Sequence, residues 1–301
     1  MRIFYTDTFV LPLPPGHRFP MTKYSRLRRR IAESGMVPLE AFRLPHAATP
    51  EELATSHDDT YVAKVRAGEL EPAEQRRIGF PWSPGMVERS LRSSGATIEA
   101  CRAALEDGIS VSLAGGTHHA FRDRGEGFCV FNDSSIAART LQAEGKVKQV
   151  AVLDCDVHQG NGTAAICAGD PSIFTFSIHG EKNFPYRKEV SDLDIALPDG
   201  TGDETYLAAL GEGLDGVFST GRPDLAIFLA GADPWHGDRW GRLRLTKAGL
   251  AARDRLVLDR CAEAGVPVAI TMAGGYAPVV EDIVDIHYQT VERAVSMAVG
   301  A

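Results

Sequence analysis

Short apolar runs recur along the chain and alternate with longer stretches in which apolar residues return every three or four positions. The runs are typical of buried β-strands and cover residues 2–5, 109–113, 149–153, 172–177, 194–197, 224–229 and 266–271. The stretches with helical periodicity cover residues 87–107, 132–144, 203–219, 246–264 and 280–299. This alternation predicts an α/β fold with a central, mostly parallel β-sheet flanked by helices on both faces.

No internal repeat, low-complexity tract or long Gly/Ser/Pro linker interrupts this pattern. The 301 residues are 44% hydrophobic and 24% charged, which is ordinary for a globular protein with a large core. We therefore expect one domain over residues 1–301.

The net charge of −8 disfavours nucleic acid as a partner. The five cysteines are odd in number and contain no C-x-x-C pair, which indicates reduced cytoplasm. We expect no membrane partner, since no signal sequence or membrane-spanning stretch is evident. Two basic runs, 26–31 and 75–77, are interpreted as a solvated helix face and a basic loop.

The segment LDCDVHQGNG places Asp154, Asp156 and His158 at alternate positions, at and just beyond the end of the buried run 149–153. Side chains two residues apart in an extended chain face the same way. Taken alone, the segment also fits an Asp that caps the next helix beside a loop histidine. As a metal site, its oxygen and nitrogen donors suit zinc, with iron, cobalt or manganese as competitors.

Three further strands are followed by small-residue turns and polar side chains. His118 and His119 follow SVSLAGG, Asp233 follows AIFLAGA, and Tyr276 follows AITMAGG. The carboxyl ends of parallel strands share one edge of the sheet, so we expect these side chains to converge. Each residue alone has an ordinary structural explanation, and their joint placement favours a functional site.

Together, the polar residues that follow these four strands predict metal-assisted hydrolysis of an amide. Asp156, His158 and Asp233 would bind the metal and leave a coordination position for water and substrate. His118 and His119 would supply a general base and an electrostatic partner, and the Tyr276 phenol would stabilise the oxyanion.

At these residues the chain resembles the zinc-dependent histone deacetylase superfamily, most closely its class IV branch and bacterial amidohydrolases. The matching segments, in order, are HRFPMTKYSRL, HDDTY, GGTHHA, GFCVFND, DCDVHQGNG, FSIH, GADPWHGD and GGY. They cover almost the whole chain.

The resemblance implies an arginase/deacetylase-like fold with Zn²⁺ or Fe²⁺ bound by Asp156, His158 and Asp233, and Tyr276 polarising the acyl carbonyl. It makes His119 the principal base and His118 its electrostatic partner. Further implied residues are Asp154 and Asn161 behind the two histidines, a structural K⁺ at Asp154, Asp156 and Ser177, and a substrate channel at Gly127, Phe128, Trp240 and Gly274.

Departures from the family limit the substrate prediction. Peptide-binding members carry an Asp on a rim loop, but the corresponding segment 77–83 contains no acid. Arg239 and Trp240 replace a Pro and a smaller apolar residue, or the gatekeeping acid of polyamine hydrolases. Trp240 would narrow the channel mouth or simply cover the loop.

We therefore expect a deacylase acting on acetyl-lysine or a small acylated amine. A catalytically weak metal-binding protein of the same fold and a two-metal arginase-type ureohydrolase are the alternatives.

Overall fold

A computed structural model describes residues 1–300, with side chains described for residues 1–299. Eight strands form one sheet, in which all neighbouring strands run parallel. In chain order they are β1 (Ile3–Phe4), β2 (Phe42–Arg43), β3 (Ile109–Ser112), β4 (Val150–Asp154), β5 (Ile173–Gly180), β6 (Leu193–Leu197), β7 (Leu225–Leu229) and β8 (Val268–Thr271). Their order across the sheet is β2-β1-β3-β8-β7-β4-β5-β6. The predicted single-domain α/β fold is confirmed, and the sheet is fully rather than mostly parallel.

Helices cover both faces of the sheet. They are α1 (Thr22–Ser34), α2 (Pro50–Ala54), α3 (Asp59–Ala67), α4 (Pro72–Ile78), α5 (Pro84–Asp107), α6 (Asp133–Ala143), α7 (Asn161–Cys167), α8 (Asp203–Ser219), α9 (Lys247–Glu263) and α10 (Val280–Gly300). The five predicted helices correspond to α5, α6, α8, α9 and α10. The prediction of a basic loop at 75–77 is wrong, because these residues lie in α4, where Pro72 occupies the first turn and Glu71 and Glu74 form a capping box.

The side chains of the central strands alternate between two hydrophobic cores. In β4, Ala151 and Leu153 pack into the core that includes α1, α8, α9 and α10. Val150 and Val152 pack into the opposite core, which includes α3, α5, α6 and α7. Burial on both faces explains why these strands read as continuous apolar runs rather than as alternating patterns.

The four strands that precede the candidate site residues are adjacent in the sheet, in the order β3-β8-β7-β4. Their last residues also lie in register, since Thr271 is paired with both Ser112 and Leu229, and Leu229 is paired with Asp154. The loops that follow therefore leave one edge of the sheet at the same level.

No helix among residues 1–300 combines the length and apolar character that a membrane crossing requires.

Candidate active site

The loops after β4 and β7 bring Asp156, His158 and Asp233 together. All three are buried, and each offers a ligand atom within 4.8 Å of the others. The Nδ1 atom of His158 lies 2.9 Å from Oδ1 of Asp156 and 3.2 Å from Oδ2 of Asp233. The structure thus assembles the three residues that the sequence assigned to a metal.

The chemistry of this group fits a divalent cation. Oδ2 of Asp233 is buried and accepts no hydrogen bond from the residues that the structure describes. Burial, together with the Asp156 carboxylate, raises the pKa of Asp233 to about 6. Two buried carboxylates this close repel each other. A cation between them would neutralise this repulsion and would also provide a partner for Oδ2 of Asp233.

Backbone amides orient the two carboxylates. The Val157 amide donates to Oδ1 of Asp233 at 3.0 Å, and the Gly274 amide donates to Oδ2 of Asp156 at 2.8 Å. A Cβ atom at position 274 would overlap both carboxylates, so only glycine fits there. Each Asp therefore has one fixed oxygen and presents the other toward His158.

His118 is paired with the carboxylate that begins the motif. Its Nδ1 atom lies 2.6 Å from Oδ2 of Asp154, and its Nε2 atom lies 3.9 Å from Oδ1 of Asp156. Burial lowers the pKa of His118, but the two carboxylates outweigh burial and raise it to about 9. His118 is therefore positioned to hold a proton near neutral pH.

His119 has a neutral partner instead. Its Nδ1 atom lies 2.6 Å from Oδ1 of Asn161, and the Asn161 amide donates to Oε1 of Glu126 at 3.2 Å. Burial and the neighbouring imidazoles of His118 and His158 hold the pKa of His119 well below its ordinary value. His119 is thus a neutral imidazole, able to accept a proton. Glu126 was not predicted from the sequence, although its position directly before Gly127 is a visible signal.

Tyr276 is positioned through its backbone. Its amide donates to Oδ2 of Asp238 at 2.6 Å, while Oδ1 of Asp238 accepts from the amides of Trp240 and Gly241. The Tyr276 ring packs against Trp240, with ring centroids 4.4 Å apart. One carboxylate therefore joins the tyrosine loop to the loop that carries Trp240.

Lys23, which no sequence motif indicated, holds the loop that carries Tyr276 through hydrogen bonds. It is buried, and its Nζ atom donates to the carbonyls of Ala273 and Gly275 at 3.3 Å each. Nζ also lies 5.4 Å from the centroid of the Tyr276 ring.

A second buried cation, Arg253, contacts the loops that carry Asp156 and Asp233. Arg253 on α9 donates to the carbonyls of Cys155 and Gly231, which immediately precede the segments carrying Asp156 and Asp233. The guanidinium is paired with Asp254 at 2.7 Å. No sequence motif indicated this support, because Arg253 lies inside an ordinary helical pattern.

Aromatic rings wall a cavity of about 700 Å³ above the site. Phe128 and Trp240 stack with centroids 5.8 Å apart and ring planes 17° apart. Phe184 meets His119 edge-on at 4.9 Å, and it too was missed. Gly127 lies so close to His119 that an added Cβ would come within 2.7 Å of its ring.

Ser177 lies beside Asp154 because the two residues are register partners on β5 and β4. Its hydroxyl lies 3.0 Å from Nδ1 of His179. The structure therefore brings the residues assigned to K⁺ into one buried neighbourhood, and the ion itself stays a prediction.

A family model for the histone deacetylase domain matches residues 17–291. The chain belongs to the histone deacetylase family. This membership places it among deacetylases and related amide hydrolases, and confirms the resemblance drawn from the sequence motifs.

Two bacterial proteins are among the relatives of this family member. It is 45% identical to an uncharacterized protein of Picosynechococcus sp., over 95% of each chain. It is 30% identical to a histone deacetylase-like amidohydrolase of Pseudomonas aeruginosa, over 88% of this chain and 74% of the relative.

Among solved structures, the fold resembles a histone deacetylase homolog from Aquifex aeolicus. The TM-score is 0.86 at 21% identity, over 98% of this chain and 84% of that one. A histone deacetylase homolog complexed with SAHA gives a TM-score of 0.82 at 21% identity, over 98% of this chain and 88% of that one.

Proposed function

We propose that the protein is a metal-dependent deacylase that hydrolyses an N-acyl amide, foremost an acetyl amide, of lysine or of a small amine. One observation carries the proposal. Asp156, His158 and Asp233 each offer a buried ligand atom within 4.8 Å of the others, and His158 lines the same cavity as His119 and Tyr276. Residues 1–301 would form a single catalytic domain.

Asp156, His158 and Asp233 would hold Zn²⁺, with Fe²⁺ as the alternative ion. Such an ion, when bound, polarises an acyl carbonyl and lowers the pKa of a bound water toward 7. Three protein ligands are typical of catalytic zinc sites, whereas structural sites use four.

His119 would accept the proton of the attacking water and later return it to the leaving amine. Its lowered pKa keeps it neutral before the reaction, and Asn161 fixes its orientation by accepting from Nδ1–H. That hydrogen bond leaves Nε2 as the atom that accepts the proton. His118, paired with Asp154, would contribute a positive charge near the developing oxyanion.

Tyr276 would donate a hydrogen bond to that oxyanion. Burial and the carboxylates of Asp156 and Asp233 raise its pKa well above the ordinary value, so the phenol keeps its proton. Phe128, Phe184 and Trp240 would exclude water from the acyl-bearing stem, which strengthens each of these interactions. We also propose a structural K⁺ at Asp154, Asp156 and Ser177.

The arginase-type alternative requires ligands for a second metal. Within residues 1–300, Asp156, His158 and Asp233 form the only group of three or more His, Cys, Asp or Glu donors close enough to hold an ion. Asp238 is the nearest further acid in the motif, but its two oxygens already accept three backbone amides. The site therefore supports one metal better than two.

The proposal is tested on purified protein by metal analysis and by product release. We expect one transition metal per chain, and acetate release from acetyl-lysine peptides or small acetylated amines, with longer acyl-lysines and acetylpolyamines assayed in parallel. Two metals per chain, together with urea release from arginine or agmatine, would establish the arginase type. Bound metal with no turnover of any acyl amide would establish the weakly catalytic alternative.

A further inference from the structure

The mouth of the active-site cavity is basic, although the chain as a whole carries a net charge of −8. Arg77, Lys182, Arg239 and Arg242 line the cavity, and all four side chains are exposed. Glu126 is the only acid that lines it. The cations come from three separate segments, so their collection around one opening does not follow from a single basic run.

Most of this positive charge is not neutralised within the protein. Arg242 is paired with Asp199 at 3.2 Å. Arg77, Lys182 and Arg239 form no ion pair with any carboxylate of residues 1–299. The Glu126 carboxylate accepts a hydrogen bond from the Asn161 side-chain amide and forms no ion pair with these four cations. The opening therefore attracts anions and repels cations.

The floor of the site has little room for a large acyl group. A cavity of about 40 Å³ adjoins the candidate metal ligands, and its lining includes Asp156, His158, His119, Tyr276 and Gly274. This is close to the volume of one water molecule in the liquid, about 30 Å³, and suits a methyl group. An acetyl group would point inward, and the amine-derived part of the substrate would then extend through the aromatic channel to the mouth.

We propose that the substrate is a small acetylated amine that carries a carboxylate at the end remote from the acetyl group. This inference rests on the proposed function and names its substrate class. The acetyl carbonyl would lie beside His119 and Tyr276, and the apolar linker would lie between Phe128 and Phe184. The carboxylate would meet Arg77, Lys182 and Arg239, because guanidinium and ammonium groups are the natural donors to a carboxylate.

Three compounds of matched length isolate the terminal charge. They are ε-acetamidocaproate, its uncharged primary amide, and N-acetylcadaverine, which ends in an ammonium group. We expect kcat/KM, measured by acetate release, to be at least about tenfold higher for the acid than for the amide, and lowest for the ammonium compound. The preference should lie mainly in KM, since the mouth contacts are the same in the ground and transition states. Added salt should reduce the preference for the acid over the amide.

A triple variant, R77Q/K182Q/R239Q, should bring the ratio of acid to amide close to one. Arg76→Gln is the matched control, because Arg76 is the exposed neighbour of Arg77 on α4 but does not line the cavity. The control should keep the wild-type ratio. If the triple variant keeps the wild-type ratio of kcat/KM for acid over amide, the three cations do not bind the carboxylate.

The outcomes separate this inference from the proposed function. If acetyl amides are hydrolysed but the acid is not preferred over the amide, the inference fails and the proposed function stands. If an amidated acetyl-lysine peptide with acidic flanking residues is preferred to ε-acetamidocaproate, the substrate is not a small molecule and the inference also fails. If no acyl amide is hydrolysed, the proposed function fails and the inference is withdrawn with it.

Discussion

Nδ1 of His119 lies 2.6 Å from the side-chain oxygen of Asn161, which is a neutral group. The Asn161 amide group in turn contacts Glu126. Along these contacts, the first negative charge is therefore the Glu126 carboxylate, which is separated from His119 by Asn161. In a direct Asp–His pair the carboxylate would contact the histidine itself.

We predict that Asn161→Asp shifts the acid limb of the kcat/KM profile to higher pH. An ionised carboxylate at Nδ1 stabilises imidazolium, so the pKa of His119 rises and less neutral base exists at low pH. The measurement is a full pH profile with an acetylated substrate. An unchanged acid limb would remove His119 from the role of base.

Glu126 provides the control for that experiment. In Asn161→Asp alone, two carboxylates face each other, which adds repulsion to the intended change. The double variant N161D/E126Q replaces this repulsion with an amide donor, so the upward shift should persist with better activity. Loss of the shift in the double variant would mean that the repulsion, and not the His119 contact, caused it.

Tyr276→Phe should reduce turnover by about 10²-fold or more, the effect of losing one oxyanion donor. The ring packing with Trp240 does not need the hydroxyl, so metal content and the melting temperature should stay as in the wild type. Steady-state kinetics and metal analysis of the same sample provide the measurement. Turnover within a few-fold of the wild type would exclude the phenol from the mechanism.

Removing the metal should destabilise the protein. A cation present at 100 times its dissociation constant contributes about 2.7 kcal/mol to the free energy of unfolding. A chelator should therefore lower the unfolding free energy of the wild type, measured in urea, and should have little effect on Asp233→Asn, which lacks a metal ligand. Asp215→Asn, an exposed substitution on α8, should respond as the wild type does. A wild type indifferent to chelation would contradict the metal site.

Arg253→Met should lower the free energy of unfolding by about 3–5 kcal/mol, because it leaves the buried Asp254 carboxylate without its partner. The double variant R253M/D254N should recover much of this loss, since no buried charge remains. Arg255→Met is the exposed neighbouring control and should change stability by less than about 0.5 kcal/mol. Equal losses in the single and double variants would show that the lost packing and the lost hydrogen bonds to Cys155 and Gly231, and not the unpaired charge of Asp254, are responsible.

Within residues 1–300, hydrophobic periodicity predicted seven of the eight strands and five of the ten α-helices. It missed β2, α2, α3, α4 and α7, which have two to nine residues, too few to show a clear period. Only the basic run 26–31, interpreted as a helix face, indicated α1. The order of strands across the sheet depends on which helices cover which face, and no local pattern specifies that.

The structure brings together the candidate site residues that follow strands directly. Asp156, His158 and Asp233 were identifiable because charges at the ends of buried strands need an explanation. Phe184 and Arg253 were not, since an aromatic residue in a long loop and an arginine in a helix are common in any protein. Their roles depend on contacts with residues far away in the sequence.

The carboxylate of Asp238 accepts backbone amides from both Tyr276 and the segment 240–241, so these two loops cannot move independently. A bulky ligand that displaces Trp240 would displace the phenol as well. Inhibitors confined to the entrance would then lower the maximal rate in addition to competing for occupancy, and they would show mixed rather than purely competitive kinetics.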